Sequence, residues 1–191
     1  RQRQMCIRDS LYGEEKDEAR QLALLEATYE QNLLDRSQDI VLISQLYLQA
    51  EVPYPAARAM EKGLADDIVE KESKNYELAG VAWRQAQEVT KSLPMLEAAA
   101  SKSEKGELYA RLGNVYLDVD KNKEAVEALK RGLDRGGVKR PDQARLALGM
   151  AYFNLGDFNA ARRAFREARK DKRARSYACL LYTSPSPRDN R

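Results

Sequence analysis

The sequence predicts an all-α protein built as a solenoid of stacked helix pairs. Three observations carry that expectation. Apolar and small residues recur at i, i+3, i+4 and i+7, the period of an amphipathic helix. The same pattern then returns along the chain at a near-constant interval. β-branched residues are sparse, and no alternating apolar–polar segment reads as a strand.

The clearest pair lies toward the C-terminus. Leu148, Gly149 and Tyr152 fall one turn apart on a first helix, Ala161, Phe165 and Ala168 do so on a second, and Gly156-Asp157 joins them. Upstream, Leu112, Gly113 and Tyr116 are followed by Ala125, Leu129 and Gly132. Before those come Ala79, Gly80 and Trp83, then Ser92, Leu96 and Ala99. Earliest are Ile43, Ser44 and Tyr47, then Ala56, Met60 and Gly63. The anchors Ser44, Gly80, Gly113 and Gly149 are spaced 36, 33 and 36 residues apart. A helix over roughly 17–32 reads as the second half of a repeat whose first half is missing. The expected organisation is therefore a truncated repeat over 11–34 and four repeats at about 37–70, 73–103, 106–139 and 142–175. The stretch 172–178 is expected to open a capping helix, because a solenoid end needs a polar cover.

A single helix pair cannot bury its apolar face, so neighbouring pairs must stack. The small residues serve that contact. Gly113, Gly149, Ala125 and Ala161 let two helices approach, and Tyr116, Tyr152, Leu129 and Phe165 fill the space beside them. A helical glycine costs about 1 kcal/mol against alanine, so Gly80, Gly113 and Gly149 at one repeated position imply a packing reason.

The two ends, 1–10 and 179–191, resemble translated sequencing-library adapters and are set aside from fold reasoning. The first reads Arg1-Gln2-Arg3-Gln4-Met5-Cys6-Ile7-Arg8-Asp9-Ser10. The second begins Cys179-Leu180-Leu181-Tyr182-Thr183-Ser184-Pro185-Ser186-Pro187-Arg188-Asp189. Native sequence is then expected from Leu11 to about Ala178, as a fragment cut on both sides. Setting the ends aside removes both cysteines, five arginines and two aspartates. It leaves 28 basic and 28 acidic residues, so the formal charge of +3 falls to zero. The basic balance therefore carries no argument for a nucleic-acid partner. Without cysteine the redox compartment stays open. No run of about 18 apolar residues is present, so no membrane span is expected here.

Several local features invite a chemical role. Gly136-Gly137-Val138-Lys139-Arg140-Pro141 is glycine-rich, but it lacks both a Gly-Lys-Ser/Thr ending and a preceding strand. A helix stop followed by a proline start explains it, with Pro141 at a position where a missing N–H is harmless. Pro53-Tyr54-Pro55 reads as the turn between paired helices. There is no histidine and, within 11–178, no cysteine, which removes imidazole and thiol catalysis and the usual zinc sites. Adjacent acids such as Asp66-Asp67 and Glu14-Glu15 read as solvated faces rather than carboxylate pairs. No catalytic, cofactor or metal residue is assigned. One charge asymmetry remains: Arg162, Arg163, Arg166, Arg169, Lys170, Lys172, Arg173 and Arg175, interrupted by Glu167 and Asp171. It could meet phosphate or an anionic membrane. It also suits the solvent face and cationic C-terminus of a last helix.

The repeat resembles the tetratricopeptide repeat, whose period is about 34 residues. That resemblance implies a right-handed superhelix that binds a protein or peptide segment along a concave groove lined by first helices. Carried over position by position, the groove would be lined by Gln45, Leu48 and Gln49, then Glu77, Val81, Arg84 and Gln85. Ala110, Asn114, Leu117 and Asp118 would follow, then Leu146, Met150, Phe153 and Asn154. Asn114 matches the asparagine of the family's carboxylate clamp. Ala110 and Leu146, however, stand where the clamp needs basic residues, so recognition of an acidic tail is not implied. Amides mixed with apolar side chains suit a helix or an extended segment better.

Three segments are similar to a narrower group, the periplasmic tetratricopeptide proteins associated with gammaproteobacterial TonB–ExbB–ExbD systems. They are residues 25–34 (LEATYEQNLL), 46–54 (LYLQAEVPY) and 137–144 (GVKRPDQA). The similarity spans nearly all of 11–178 and corresponds to the C-terminal part of those proteins. It implies a non-catalytic, cofactor-free accessory factor in the periplasm. Its partners would be TonB, ExbB or ExbD components supporting uptake of iron carriers, with no nucleic acid involved. A cytoplasmic scaffold or co-chaperone using the same groove, and an anionic-surface binder using the basic run, stay open.

Overall fold

The computed structural model describes residues 18–174. The adapter-like ends, the Glu14-Glu15 pair and residues 175–178 lie outside the described residues. Among the described residues every regular element is a helix: α1 (Glu18–Glu30), α2 (Ser37–Gln49), α3 (Pro53–Ala65), α4 (Ser73–Gln85), α5 (Val89–Lys102), α6 (Glu107–Asp118), α7 (Asn122–Arg135), α8 (Pro141–Asn154) and α9 (Phe158–Ala168). The all-α expectation holds, and α2/α3, α4/α5, α6/α7 and α8/α9 are helix–turn–helix pairs.

The pairs share one turn chemistry. The residue two beyond each first helix takes a left-handed conformation: Glu51 (φ 59°), Gln87 (φ 63°), Asp120 (φ 58°) and Gly156 (φ 78°). Its N–H and that of the next residue reach back to two helix carbonyls. Val52, Glu88, Lys121 and Asp157 donate to the carbonyls of Tyr47, Trp83, Tyr116 and Tyr152 at 2.8, 2.9, 2.9 and 3.0 Å. These are Schellman closures, which satisfy carbonyls that the helix end would leave bare. Pro141 does start α8, with no N–H lost. Pro53-Tyr54-Pro55 is not the turn itself but the first turn of α3, where free N–H groups make proline tolerable.

The chain divides into two compact units between Ser92 and Leu93. The division falls inside α5 beside Pro94, which has no N–H to return to the preceding turn. In the first unit α2 packs on α1 and α3, and α3 on α4. Leu25, Ile43, Met60, Val69 and Trp83 are fully buried there. Tyr54 meets Trp83 edge-on at 5.5 Å, and the Lys91 ammonium lies 4.5 Å from the Trp83 ring centroid. The Trp83 Nε1 proton and the Ser92 hydroxyl are buried without a partner, each at a cost of about 1–3 kcal/mol. Tyr47 donates its hydroxyl to Glu26 Oε1 at 3.0 Å.

The second unit repeats that tyrosine bond, with Tyr116 donating to Glu97. Burial, with the neighbouring carboxylate second, pushes both phenols above their ordinary range. Here α7 packs on α6 and α8, and α8 on α9. The anchor glycines Gly113 and Gly149 have the expected packing reason. A Cβ on Gly113 would collide with Leu129, and one on Gly149 with the Phe165 ring. Backbone meets backbone at the start of α6, where a Cβ on Gly132 would lie 2.8 Å from the Gly106 carbonyl oxygen and 2.9 Å from Ala110 N. The 136–141 linker folds back onto this crossing. Gly106 N–H donates to the Gly136 carbonyl at 2.8 Å, and Lys139 N–H to Glu107 Oε2 at 2.8 Å.

The expected capping helix does not begin within the described residues. Residues 171–174 form a bend and turns. The Asp171 carboxylate accepts the Arg173 N–H at 2.9 Å, offering the backbone an alternative to helical bonding. Ala174 is nevertheless buried beside Ala168.

Candidate functional site

In the first unit, α2 and α4 leave a groove of about 1100 Å³ between them. The α2 wall carries Gln38, Val41, Leu42 and Gln45. The α4 wall carries Lys74, Glu77, Leu78 and Val81. Arg36, Ser37, Glu70 and Asn75 close one end. Helical periodicity explains this assembly: 38, 41, 42 and 45 share one face of α2, as 74, 77, 78 and 81 share one face of α4. The end is built firmly. Asn75, 3% exposed, donates Nδ2 to the Glu70 carbonyl at 2.8 Å, tying the loop before α4 to that helix.

The groove is apolar at its centre and amide-bearing along one wall. Its charges balance, with Arg36 and Lys74 against Glu70 and Glu77. Lys74 is bridged to Glu72 at 2.9 Å. Such a surface offers side-chain amides to a peptide backbone and aliphatic walls to apolar side chains. Among the described residues no three His, Cys, Asp or Glu side chains gather as a metal site would need. Asp67 of the Asp66-Asp67 pair is bridged to Lys71.

Of the residues assigned by resemblance, Gln45, Glu77 and Val81 line this groove. Leu48, half-buried, and Gln49, Arg84 and Gln85, exposed, continue the same helices toward their C-terminal ends. Nine lining residues were not assigned: Arg36, Ser37, Gln38, Val41, Leu42, Glu70, Lys74, Asn75 and Leu78. Extending the spacing one or two turns toward each helix N-terminus reaches Val41, four positions before the assigned Gln45, and Gln38 and Lys74, seven positions before the assigned Gln45 and Val81.

The second unit differs. Ala110 does not face a groove: it is 6% exposed and packs with Leu129, Ala144 and Ala147. The small side chains on both first helices let α6 touch α8 directly, and that contact swallows Ala110. Leu117, half-buried, leans on the same cluster. Leu146 is not a free groove residue either, since it packs onto Ala168 and Ala174. Asn114 and Asp118 are exposed on α6. Met150 is 47% and Phe153 37% exposed on α8, and Phe153 sets its ring edge-on against Phe158 at 5.4 Å. Asn154 is tied up, donating Nδ2 to Asn122 Oδ1 at 2.9 Å.

Comparison with known proteins bears on this geometry. Residues 106–135 and 142–168 match the tetratricopeptide repeat model. Those two segments are tetratricopeptide repeats. Similar solved structures include MamA (TM-score 0.66, 17% identity, covering 82% of this chain and 89% of that one). They also include YrrB, described as a tetratricopeptide protein with an unusual peptide-binding site (0.65, 20%, covering 82% and 78%). A third is the C-terminal part of a repeat-containing protein from Cytophaga hutchinsonii (0.67, 13%, covering 87% and 64%). Comparison with the curated proteins finds no match. The fold is thus that of a tetratricopeptide-repeat solenoid, and the helix pairs of the first unit follow the same plan.

Proposed function

We propose that the protein is a non-catalytic interaction scaffold that holds a segment of a partner protein in the α2–α4 groove. The observation that carries this reading is the groove itself, with aliphatic walls from Val41, Leu42, Leu78 and Val81 and an amide edge from Gln38 and Gln45. YrrB, a similar fold, is described as having a peptide-binding site.

We further propose that the partner belongs to a TonB–ExbB–ExbD energy-transduction system and that the protein works in the periplasm. This rests on the resemblance of residues 25–34, 46–54 and 137–144 to the tetratricopeptide proteins of those systems. The test is crosslinking and affinity capture of the tagged full gene product from fractionated cells, beside a Val41→Asp/Val81→Asp variant. TonB-system components should be captured from envelope fractions by the parent chain and not by the variant. Equal capture by a folded variant would sink the groove. Capture from cytosol alone would sink the envelope assignment and favour a cytoplasmic scaffold.

A further inference from the structure

The last helix carries a surface that the groove does not use. α9 buries Ala160, Ala161, Ala164, Phe165 and Ala168. Its other side is cationic. Arg162, Arg163, Arg166 and Arg169 are exposed, as are Lys170, Lys172 and Arg173 in the turn beyond. The acids within 162–173 are Glu167 and Asp171. Glu167 is held by Lys170 at 2.7 Å, and Asp171 accepts the Arg173 N–H. Arg162, Arg163, Arg166 and Arg169 form no ion pair among the described residues.

At 3.6 residues per turn, Arg162, Arg166 and Arg169 share one narrow strip, which Phe158 heads. Against Phe158 packs Phe153, 37% exposed, and Leu155, 41% exposed, stands in the turn between α8 and α9. The patch therefore joins a row of unneutralised guanidiniums to exposed apolar side chains. A nucleic acid would find no exposed aromatic ring between the arginines on which to stack bases, since Phe165 is buried. A polyanionic peptide without apolar side chains would match the arginines but leave Phe153 and Leu155 unburied. A lipid bilayer supplies both halves: phosphates for the guanidinium forks and the acyl boundary for the apolar residues.

We propose that the outer face of α9 docks on an anionic lipid surface. Arg162, Arg166 and Arg169 meet headgroup phosphates, while Phe153 and Leu155 enter the headgroup layer. This is independent of the groove, and among the described residues no helix is long and apolar enough to cross a membrane. The test is sedimentation of the full chain with vesicles of phosphatidylcholine, alone or mixed equally with phosphatidylglycerol, with a salt series. Binding should appear on the mixed vesicles alone and fade with salt. Arg162→Glu/Arg166→Glu should weaken it at least about 25-fold, at roughly fivefold per arginine. Phe153→Ser/Leu155→Ser should weaken it while leaving the salt slope unchanged. Should the charge-reversed chain lose helicity, Arg162→Gln/Arg166→Gln carries the same test with a smaller loss. Equal binding to neutral vesicles, no loss in the folded arginine variants, or displacement from vesicles by trace RNA or polyglutamate would each overturn the proposal.

Discussion

The two units are built from one repeat, yet they treat the space between their first helices in opposite ways. In the first, α2 and α4 carry Val41, Leu42, Leu78 and Val81, which line a groove without filling it. In the second, Ala110, Ala144 and Ala147 let α6 and α8 meet, and the space becomes core. The repeated helix period places a residue on a face. The size of the side chains there decides whether that face stays open.

The same contrast governs the glycines. Gly63 and Gly132 fall at corresponding points of their second helices, each 19 residues after the anchors Ser44 and Gly113. An added Cβ on Gly63 would meet the Val69 Cγ2 atom at 2.7 Å and Ile40 Cγ2 at 3.1 Å, both side-chain ends that can shift. On Gly132 it would meet the Gly106 carbonyl and Ala110 N, which cannot move without moving a helix.

The largest expected effect separates core from lining. Ala110→Asp buries an unpaired carboxylate and should cost at least about 3 kcal/mol. Val81→Asp, on a half-buried groove wall, should cost under about 1 kcal/mol while changing partner capture. Equilibrium urea unfolding measures both, and similar costs would erase the distinction between the units. Next, Gly132→Ala should destabilise by about 3 kcal/mol and Gly63→Ala by about 1 kcal/mol, the overpacking cost depending on what can yield. Thermal melts ranked the other way would contradict the backbone crossing at Gly106.

The smallest effect is the pH response. Asp142, 2% exposed, accepts Arg140 Nε at 3.2 Å and a terminal guanidinium nitrogen at 3.0 Å, and this bidentate bond lowers its pKa. A lowered folded-state pKa means stabilisation that is complete above the ordinary aspartate range and lost as pH falls through the lowered value. The corresponding positions in the first unit are Ser37 and Ser73, which cannot respond in this way. Asp142→Asn should cost on the order of 1–2 kcal/mol at neutral pH and flatten the acid limb of stability. Hydrogen exchange of α8 amides across that range reads the effect, and an unchanged acid limb would refute it.

Much of the fold was legible because a solenoid is written in local periodicity. The four anchors, the proline start at Pro141 and the lack of strands among the described residues needed only spacing and backbone chemistry. The groove was legible in part. Gln45, Glu77 and Val81 were implied by the repeat resemblance, whereas Gln38, Val41 and Lys74 needed the same stripe followed one or two turns further. Ala110 was misplaced because its register says groove while its volume, set against Ala144 and Ala147 on another helix, says core.

The sequence by itself determined an all-α chain of helix pairs, since helix period, turn residues and glycine spacing act over a few residues. It also placed the cations of α9, because a run of arginines is visible without a fold. Tertiary structure alone decided which first helices part and which touch, and which arginines stay unpaired among the described residues. Those outcomes depend on side-chain volume and charge brought together across more than 30 positions, as Ala110 and Ala144 are. Local pattern cannot encode them.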